Sequence, residues 1–183
     1  MLLTINEIAE SLDRKFIPLA DVVTGLRLIK RAQPLAGLEE AEQRLGTVLP
    51  EPFARFVCTY ELDDFSLNNV MFGAEQDYVE RIVAMNTTAS FDQWWSGETR
   101  PSSWLCIANS DPFGIFLNTD SGEVYAVTSE DEWGSWRSAA RDFESFIRAL
   151  GTAYLLPVKA AELAAEAGSE HLEFWEWAAA GMG

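Results

Sequence analysis

The chain has 183 residues, of which 48% are hydrophobic and 12% aromatic, and its 29 acidic and 13 basic residues give a formal charge of −16. A chain of this length can bury one hydrophobic core without metals or disulfides to stabilise it. Its aromatic content argues against intrinsic disorder. The acidity disfavours binding to nucleic acid or to an anionic membrane, because both rely on lysine and arginine. It favours a basic partner, or it serves only solubility.

The sequence shows no export signal and no membrane span. Glu7, Glu10 and Asp13 interrupt the N-terminus where a secretory signal needs apolar residues, and nowhere do 18 uncharged apolar residues follow one another. Cys58 and Cys106 lie in apolar contexts. We therefore expect two buried, reduced thiols in a cytoplasmic protein, with a disulfide between them as the alternative.

The first third of the chain is mainly helical by its periodicity. Apolar residues at helical spacing predict a helix over 5–16, whereas 19–31 are compatible with either strand or helix. A second helix is predicted from 38 to a left-handed cap at Gly46. Pro50 and Pro52 then open a third helix. The residues of this helix expected to face inward are Phe53, Phe56 and Val57.

Beyond Tyr60 the pattern changes to short apolar runs separated by turn residues. These runs predict strands at 70–72, 78–85, 104–108, 114–118 and 123–127. Gly122 supplies the positive φ for a tight hairpin between the last two, so an antiparallel meander follows. Residues 90–93 match a capping box and predict a short helix that passes through two tryptophans and ends at Gly97.

The last third of the chain returns to helical spacing. Apolar residues from Phe143 to Tyr154 predict a helix on one face of the sheet, and the succession of helices, strands and helix predicts a single α+β domain over 1–156. Pro157 ends that helix, and 157–183 form a helical appendix. Its aromatic residues either pack back onto the domain or form a homodimer contact between two copies of the chain.

The sequence offers few residues for catalysis. His171 is the single histidine and lies in the appendix, which disfavours a catalytic triad, and no paired metal-ligand spacing or phosphate-binding glycine motif is present. The acidic pairs lie in polar loops, where nothing splits their pKa values. We expect no catalytic residue, no metal and no cofactor; an enzyme that uses surface carboxylates is a remaining alternative.

The negative charge is concentrated in the strand region. Residues 56–136 contain 14 acids against only Arg81 and Arg100, so this stretch carries −12 of the total −16. Because a sheet can leave one face open to solvent, these acids are expected to form one negative surface, with tryptophans among them as anchors for a basic protein. The alternative is that the tryptophans are core and the acids merely solvated.

The partner-binding candidates share this region and are either acidic or tryptophan. They are Asp63, Asp64, Glu75, Asp77, Glu80, Trp94, Trp95, Glu98, Glu130, Asp131, Glu132 and Trp133.

Two stretches resemble the SUKH superfamily, the Smi/Knr-like proteins. Residues 38–56, LEEAEQRLGTVLPEPFARF, resemble its opening signature of a helix with a Leu-Gly pair, a Leu-Pro step and a second helix. Residues 107–125, IANSDPFGIFLNTDSGEVY, are similar to its central hairpin, and residues 145–150 to its closing helix. The resemblance covers about residues 35–155.

This resemblance implies a role in protein binding. Most bacterial members of the superfamily are immunity proteins that neutralise secreted polymorphic or contact-dependent toxins, many of them nucleases or deaminases, and fungal relatives act in regulation. The resemblance supplies no active site, because its motif residues have structural roles. The resulting hypothesis is a non-enzymatic immunity protein that occludes a basic toxin domain through an acidic surface; the alternative is a regulatory scaffold that binds an endogenous protein.

Overall fold

The computed structural model describes residues 1–74, 77–87, 94–95 and 99–181. Within this part of the chain, the helices are α1 (Ile5–Phe16), α2 (Leu38–Leu45), α3 (Glu51–Thr59), α4 (Tyr78–Thr87), α5 (Phe143–Leu155), α6 (Ala160–Ala167) and α7 (Leu172–Ala180). The strands are β1 (Ile29–Lys30), β2 (Tyr60–Glu61), β3 (Ser66–Leu67), β4 (Val70–Met71), β5 (Trp104–Asn109), β6 (Gly114–Asn118), β7 (Val124–Val127) and β8 (Ser138–Ala140).

The strands form two antiparallel sheets. Strands β1 and β2 pair with each other, and β3 to β8 form a six-stranded sheet in which every strand lies beside its neighbours in the chain. Gly122, at φ 80°, closes the hairpin between β6 and β7. The predicted meander and the α+β fold are therefore confirmed.

The first three helices agree with the sequence analysis. Thr4 and Glu7 form a capping box at the start of α1, and Gly46 ends α2 in the left-handed conformation at φ 71°. The inward residues predicted for α3 are buried. Residues 19–31 are neither a long strand nor a helix, because they form turns after a short 3-10 segment, Ile17–Leu19, and contribute only β1.

The predicted strand at 78–85 is wrong, because this segment is helix α4. Its buried side chains recur at three and four residues, and Asp77 accepts hydrogen bonds from the backbone N–H groups of Val79 and Glu80, which caps the helix. A short apolar run does not by itself separate a strand from a buried helix. The capping box at 90–93 and Gly97 lie outside the described residues.

Helix α5 lies at the centre of the helical layer. It packs against α1, α3, α6 and α7 and reaches strands β3 and β8. The Phe143 ring makes edge contacts with Phe53, Phe56 and Phe72 at centroid distances of 4.8, 5.2 and 6.1 Å. A Cβ atom at Gly151 would lie 2.5 Å from Ile8 Cδ1, so this glycine allows α1 to approach α5 closely. The predicted closing helix is confirmed.

The C-terminal helices pack back onto the rest of the chain. Phe174 and Trp175 are fully buried, and the indole N–H of Trp175 donates to the carbonyl oxygen of Ala139 at 3.0 Å. The carbonyl oxygen of Ser138 accepts from the backbone N–H of Glu170 at 2.9 Å. These contacts cover the outer edge of β8, and the two buried rings are not available for a contact between copies.

No helix of the described residues is long and apolar enough to cross a membrane.

Replacement of Trp175 tests whether the appendix folds together with the domain. Trp175→Ala should lower the free energy of unfolding by about 3–5 kcal/mol, because it removes a fully buried ring and its hydrogen bond. The measurement is urea unfolding followed by circular dichroism. The control is Leu172→Ala, whose side chain is 43% exposed in the same helix. An unchanged main transition in Trp175→Ala would show that the appendix folds separately.

Candidate functional site

The predicted acidic candidates fall into two separate groups. Asp63, Asp64, Asp77 and Glu80 lie near the start of α4 and β3, whereas Glu130, Asp131 and Glu132 lie in the loop between β7 and β8. Strands β4 and β7 are three positions apart in the sheet, which at the usual strand spacing is roughly 14 Å. Glu75 and Glu98 lie outside the described residues.

Most carboxylates of the first group already bind other residues of the chain. The carboxylate of Asp63 accepts from the Tyr78 N–H at 3.0 Å and lies 3.6 Å from Arg31 Nη2. Glu80 pairs with Arg44 at 2.7 Å, and Asp77 caps α4. Asp64 has no ion-pair partner among the described residues. The charge of this group is thus partly compensated by arginines.

The second group leaves two carboxylates free. Asp131 accepts from the backbone N–H and the hydroxyl group of Thr128 at 2.6 and 2.9 Å, so it holds the turn after β7. Glu130 and Glu132 are exposed and form no ion pair within the described part of the chain. We call Glu130–Glu132 the acidic loop.

The tryptophans of the strand region cover one face of the large sheet. Trp133 and Trp136 lie 4.8 Å apart, measured between ring centroids. Trp95 and Trp104 each contact both of these rings, at centroid distances of 5.0 to 5.4 Å. They pack on Phe116 of β6 and Tyr125 of β7, with Trp94 against Phe116. We call this surface the tryptophan face; its members are Trp94, Trp95, Trp104, Trp133, Trp136, Phe116 and Tyr125.

The tryptophan face contains one buried indole ring and several partly exposed indole rings. Trp95 is only 3% exposed, so it belongs to the core and offers little surface to a partner. Trp94, Trp104, Trp133 and Trp136 are partly exposed. Because Trp133 directly follows the acidic loop, the free carboxylates of Glu130 and Glu132 lie at the border of this face.

The acids of the central region do not lie on the main strands of the large sheet. Strands β5 to β8 contain no acidic residue, and most of their side chains are buried. The tryptophan face covers one side of the sheet, and the described acids of this region lie in connections, on α4 and, for Glu61, on β2.

Acids from the appendix come close to the sheet, which the sequence did not indicate. The Tyr125 hydroxyl donates to Glu123 at 3.1 Å. Burial, this hydrogen bond and the charges of Glu123 and Glu170 raise the pKa of Tyr125 to about 12. Glu173 pairs with Arg137 at 3.2 Å. The contacts depend on how α7 packs against β8, so no spacing along the chain could have revealed them.

Arg100 and Asn86 hold the free edge of β5 beneath the tryptophans. The side-chain amide of Asn86 accepts from the Cys106 N–H and donates to the Cys106 carbonyl oxygen, both at 2.8 Å, as a neighbouring strand would. The Arg100 guanidinium donates to the carbonyl oxygens of Trp104 and Leu45 at 2.9 and 2.7 Å. Helices α2 and α4 are thereby tied to β5, which carries Trp104 into the tryptophan face.

The residues considered for catalysis are not assembled into a site in the described part of the chain. Cys106 is buried, and burial raises the pKa of its thiol to about 12, so the thiol is protonated at neutral pH. Cys58 is exposed, so its predicted burial is wrong; both cysteines are free. The described residues contain no group of His, Cys, Asp and Glu that could hold a metal ion.

Comparison with protein family models identifies the family of the chain. Residues 35–149 match the model of the SMI1 / KNR4 family (SUKH-1). The chain belongs to this family. The matched range runs from α2 into α5 and includes the tryptophan face, whereas α1, the turns after it and the appendix lie outside it. A comparison with curated proteins finds none that matches.

His171 makes the attachment of α7 sensitive to acid. It is 3% exposed, and its Nδ1 atom accepts from the Phe174 N–H at 3.3 Å at the start of the helix. Burial lowers its pKa, and Arg137 acts in the same direction, whereas Asp131, Glu173 and the Ala126 backbone act in the opposite direction. The neutral imidazole is therefore the form that supports the fold.

Because the folded-state pKa of His171 is lowered, its contribution to stability is present above about pH 6.5 and is lost as the pH falls below it. Between pH 7.5 and 5.5 the wild type should lose more of its free energy of unfolding than His171→Asn, which can cap the helix but does not titrate. Urea titrations across this range measure the difference. Equal losses in both proteins would contradict the prediction.

Proposed function

We propose that the protein is an immunity protein that binds and neutralises a cognate secreted toxin, of the polymorphic or contact-dependent kind, in the cytoplasm. Membership of the SMI1 / KNR4 family supports this proposal, because members of the family are generally non-enzymatic immunity proteins. The partner we propose is a basic nuclease- or deaminase-type toxin domain.

The observation that carries the proposal is the tryptophan face with the acidic loop at its border. Partly exposed indole rings bury large apolar areas in a contact, and neighbouring carboxylates speed the encounter with a basic surface. Both features lie together here, since Trp133 follows Glu132 directly and packs against Trp95 and Trp104. Protein interfaces commonly combine such aromatic anchors with a charged rim.

The proposed mechanism is stoichiometric occlusion. Enzymes that act on nucleic acid hold the phosphate backbone with lysine and arginine side chains. A protein surface with Glu130 and Glu132 beside partly exposed indole rings competes for the same basic residues and covers the substrate channel. Neutralisation then needs no catalytic group, only an affinity high enough to exceed that of the substrate.

The first test is co-expression with each secreted toxin domain encoded beside the gene. We expect rescue of growth and a 1:1 complex by size-exclusion chromatography. If no neighbouring toxin domain is neutralised or bound, the proposal is wrong. A partner that is bound and is an endogenous, non-toxic protein would instead support the regulatory scaffold.

The acidic loop should control the rate of association. The variant Glu130→Gln/Glu132→Gln should associate with the toxin domain about fivefold more slowly at low salt, because two steering charges are removed. The difference should shrink in 0.5 M NaCl as screening increases. The matched control is Glu10→Gln/Glu162→Gln, which removes two exposed charges from α1 and α6. Equal rates for both variants would exclude the acidic loop from the contact.

Trp133 should contribute mainly to the lifetime of the complex. Trp133→Ala should weaken binding by about 30-fold or more, chiefly through faster dissociation. Val158→Ala is the control, since this side chain is also partly buried against the core but lies between α5 and α6, outside the tryptophan face. Surface plasmon resonance measures both rates, with near-UV circular dichroism to check folding. A similar loss in both variants would indicate a structural effect and not a contact.

A further inference from the structure

Residues 17–29 expose an unusual share of the large apolar side chains. Ile17, Leu19, Val22 and Ile29 are 54, 44, 80 and 43% exposed. The described part of the chain has nine exposed large apolar side chains, and these four lie within this one short segment. Single exposed apolar residues are ordinary on protein surfaces, whereas a cluster of them marks an interaction site.

One of these side chains, Ile29, and the residues around it line a groove made of two adjoining cavities. One cavity, of about 300 Å³, lies between residues 20–29 and the β2–β3 connection, with Val23, Ile29 and Phe65 in its walls. The other, of about 610 Å³, continues past Leu67 and Met71. Leu26 lines both. We call the two cavities together the N-terminal groove.

The walls of the N-terminal groove are fixed against each other by the backbone. The Gly25 carbonyl oxygen accepts from the Ser66 N–H at 2.8 Å. Gly25 has φ +74°, and a Cβ atom there would lie 2.0 Å from the Asp64 carbonyl oxygen, so only glycine permits this contact. A groove that is already formed lowers the ordering cost of binding a partner.

The charge of the N-terminal groove indicates what it binds. Its arginines are already neutralised, because Arg27 pairs with Asp13 at 2.7 Å and the neighbouring Arg31 lies 3.6 Å from Asp63. Glu61 and Asp64 also line the groove, and neither has an ion-pair partner within the described ranges. The groove therefore presents uncompensated negative charge between apolar walls.

We propose that the N-terminal groove docks a segment of a protein partner that presents an arginine beside apolar side chains. The aliphatic part of an arginine packs on apolar walls such as Ile29 and Phe65, while its guanidinium reaches Glu61 and Asp64. The apolar neighbours of that arginine cover Leu26 and Met71. This surface differs from the tryptophan face, and the proposal holds whether or not the partner is a toxin.

One wall of the N-terminal groove lies outside the part of the chain that the family shares. The family match begins at residue 35, so residues 17–29 precede it, while residues 61–71 lie within it. The groove thus combines a family element with a segment that the family match does not cover. We infer that this segment selects the partner sequence.

The test is an NMR titration of the isotope-labelled full chain with the peptide acetyl-Leu-Arg-Leu-amide and with its citrulline analogue, which has the same shape without the charge. The arginine peptide should give saturable shifts in residues 20–29 and 61–67, and the citrulline peptide should bind at least about fivefold more weakly. Shifts that fall elsewhere, equal binding of both peptides, or no saturation with the arginine peptide would overturn the proposal.

Two matched pairs of variants separate charge from apolar contact. Glu61→Gln/Asp64→Asn should weaken the arginine peptide about fivefold, whereas Glu39→Gln/Glu40→Gln, which removes two exposed charges from α2, should not. Ile29→Thr should weaken both peptides, and Val48→Thr, at a remote position that is 74% exposed, should weaken neither. Equal effects within each pair would also overturn the proposal, and the growth-rescue assay, which does not use the peptides, tests the toxin hypothesis separately.

Discussion

The burial of both faces of the large sheet is the constraint on which the rest of this structure depends. Helix α5 and its neighbours cover one side through rings such as Phe143, and five tryptophans cover the other. Strands buried in this way have no room for charge, so the acids of the central region that the structure describes lie in connections, on α4 and, for Glu61, in the small sheet. The tryptophan face is consequently both a second core layer and an aromatic surface that is partly open to solvent.

The helices could be predicted where local signals agree. In α1, α2 and α5 the capping residues and the apolar periodicity indicate the same helix limits. Thr4 and Asp142 cap the starts of α1 and α5 through hydrogen bonds, and Gly46 ends α2 in the left-handed conformation. The sequence predicts a strand where helix α4 lies, because the apolar run of this segment is short. The burial of Tyr78 depends on a tertiary contact, in which its hydroxyl donates to the Ile107 carbonyl oxygen. The exposure of Cys58 was predictable, since it lies away from the face that Phe53, Phe56 and Val57 bury.

The candidate site was harder to predict than the fold. A sequence names the acids but not their partners, and only the structure separates Asp77, which caps α4, and Asp131, which holds a turn, from Glu130 and Glu132, which have neither role. The N-terminal groove had no sequence signal at all. Residues 19–31 have no clear period because they form turns, and the cavity that residues 20–29 line is completed by residues 61–65, which are distant in the chain.

The segments that flank the family match, α1 and the appendix, pack against different parts of the fold. The appendix satisfies the edge of β8 through Glu170 and Trp175, and α1 packs on α5 where Gly151 leaves room for Ile8. Both add to the core, so the edge of β8 is closed to a partner strand. The two surfaces proposed for recognition use side chains, namely the indole rings and carboxylates beside Trp133 and the groove beside residues 20–29. The two surfaces use different residues, so a substitution can alter one and leave the other unchanged. Gly25 and the buried Leu28 tie the N-terminal segment to the fold and limit which of its residues can vary.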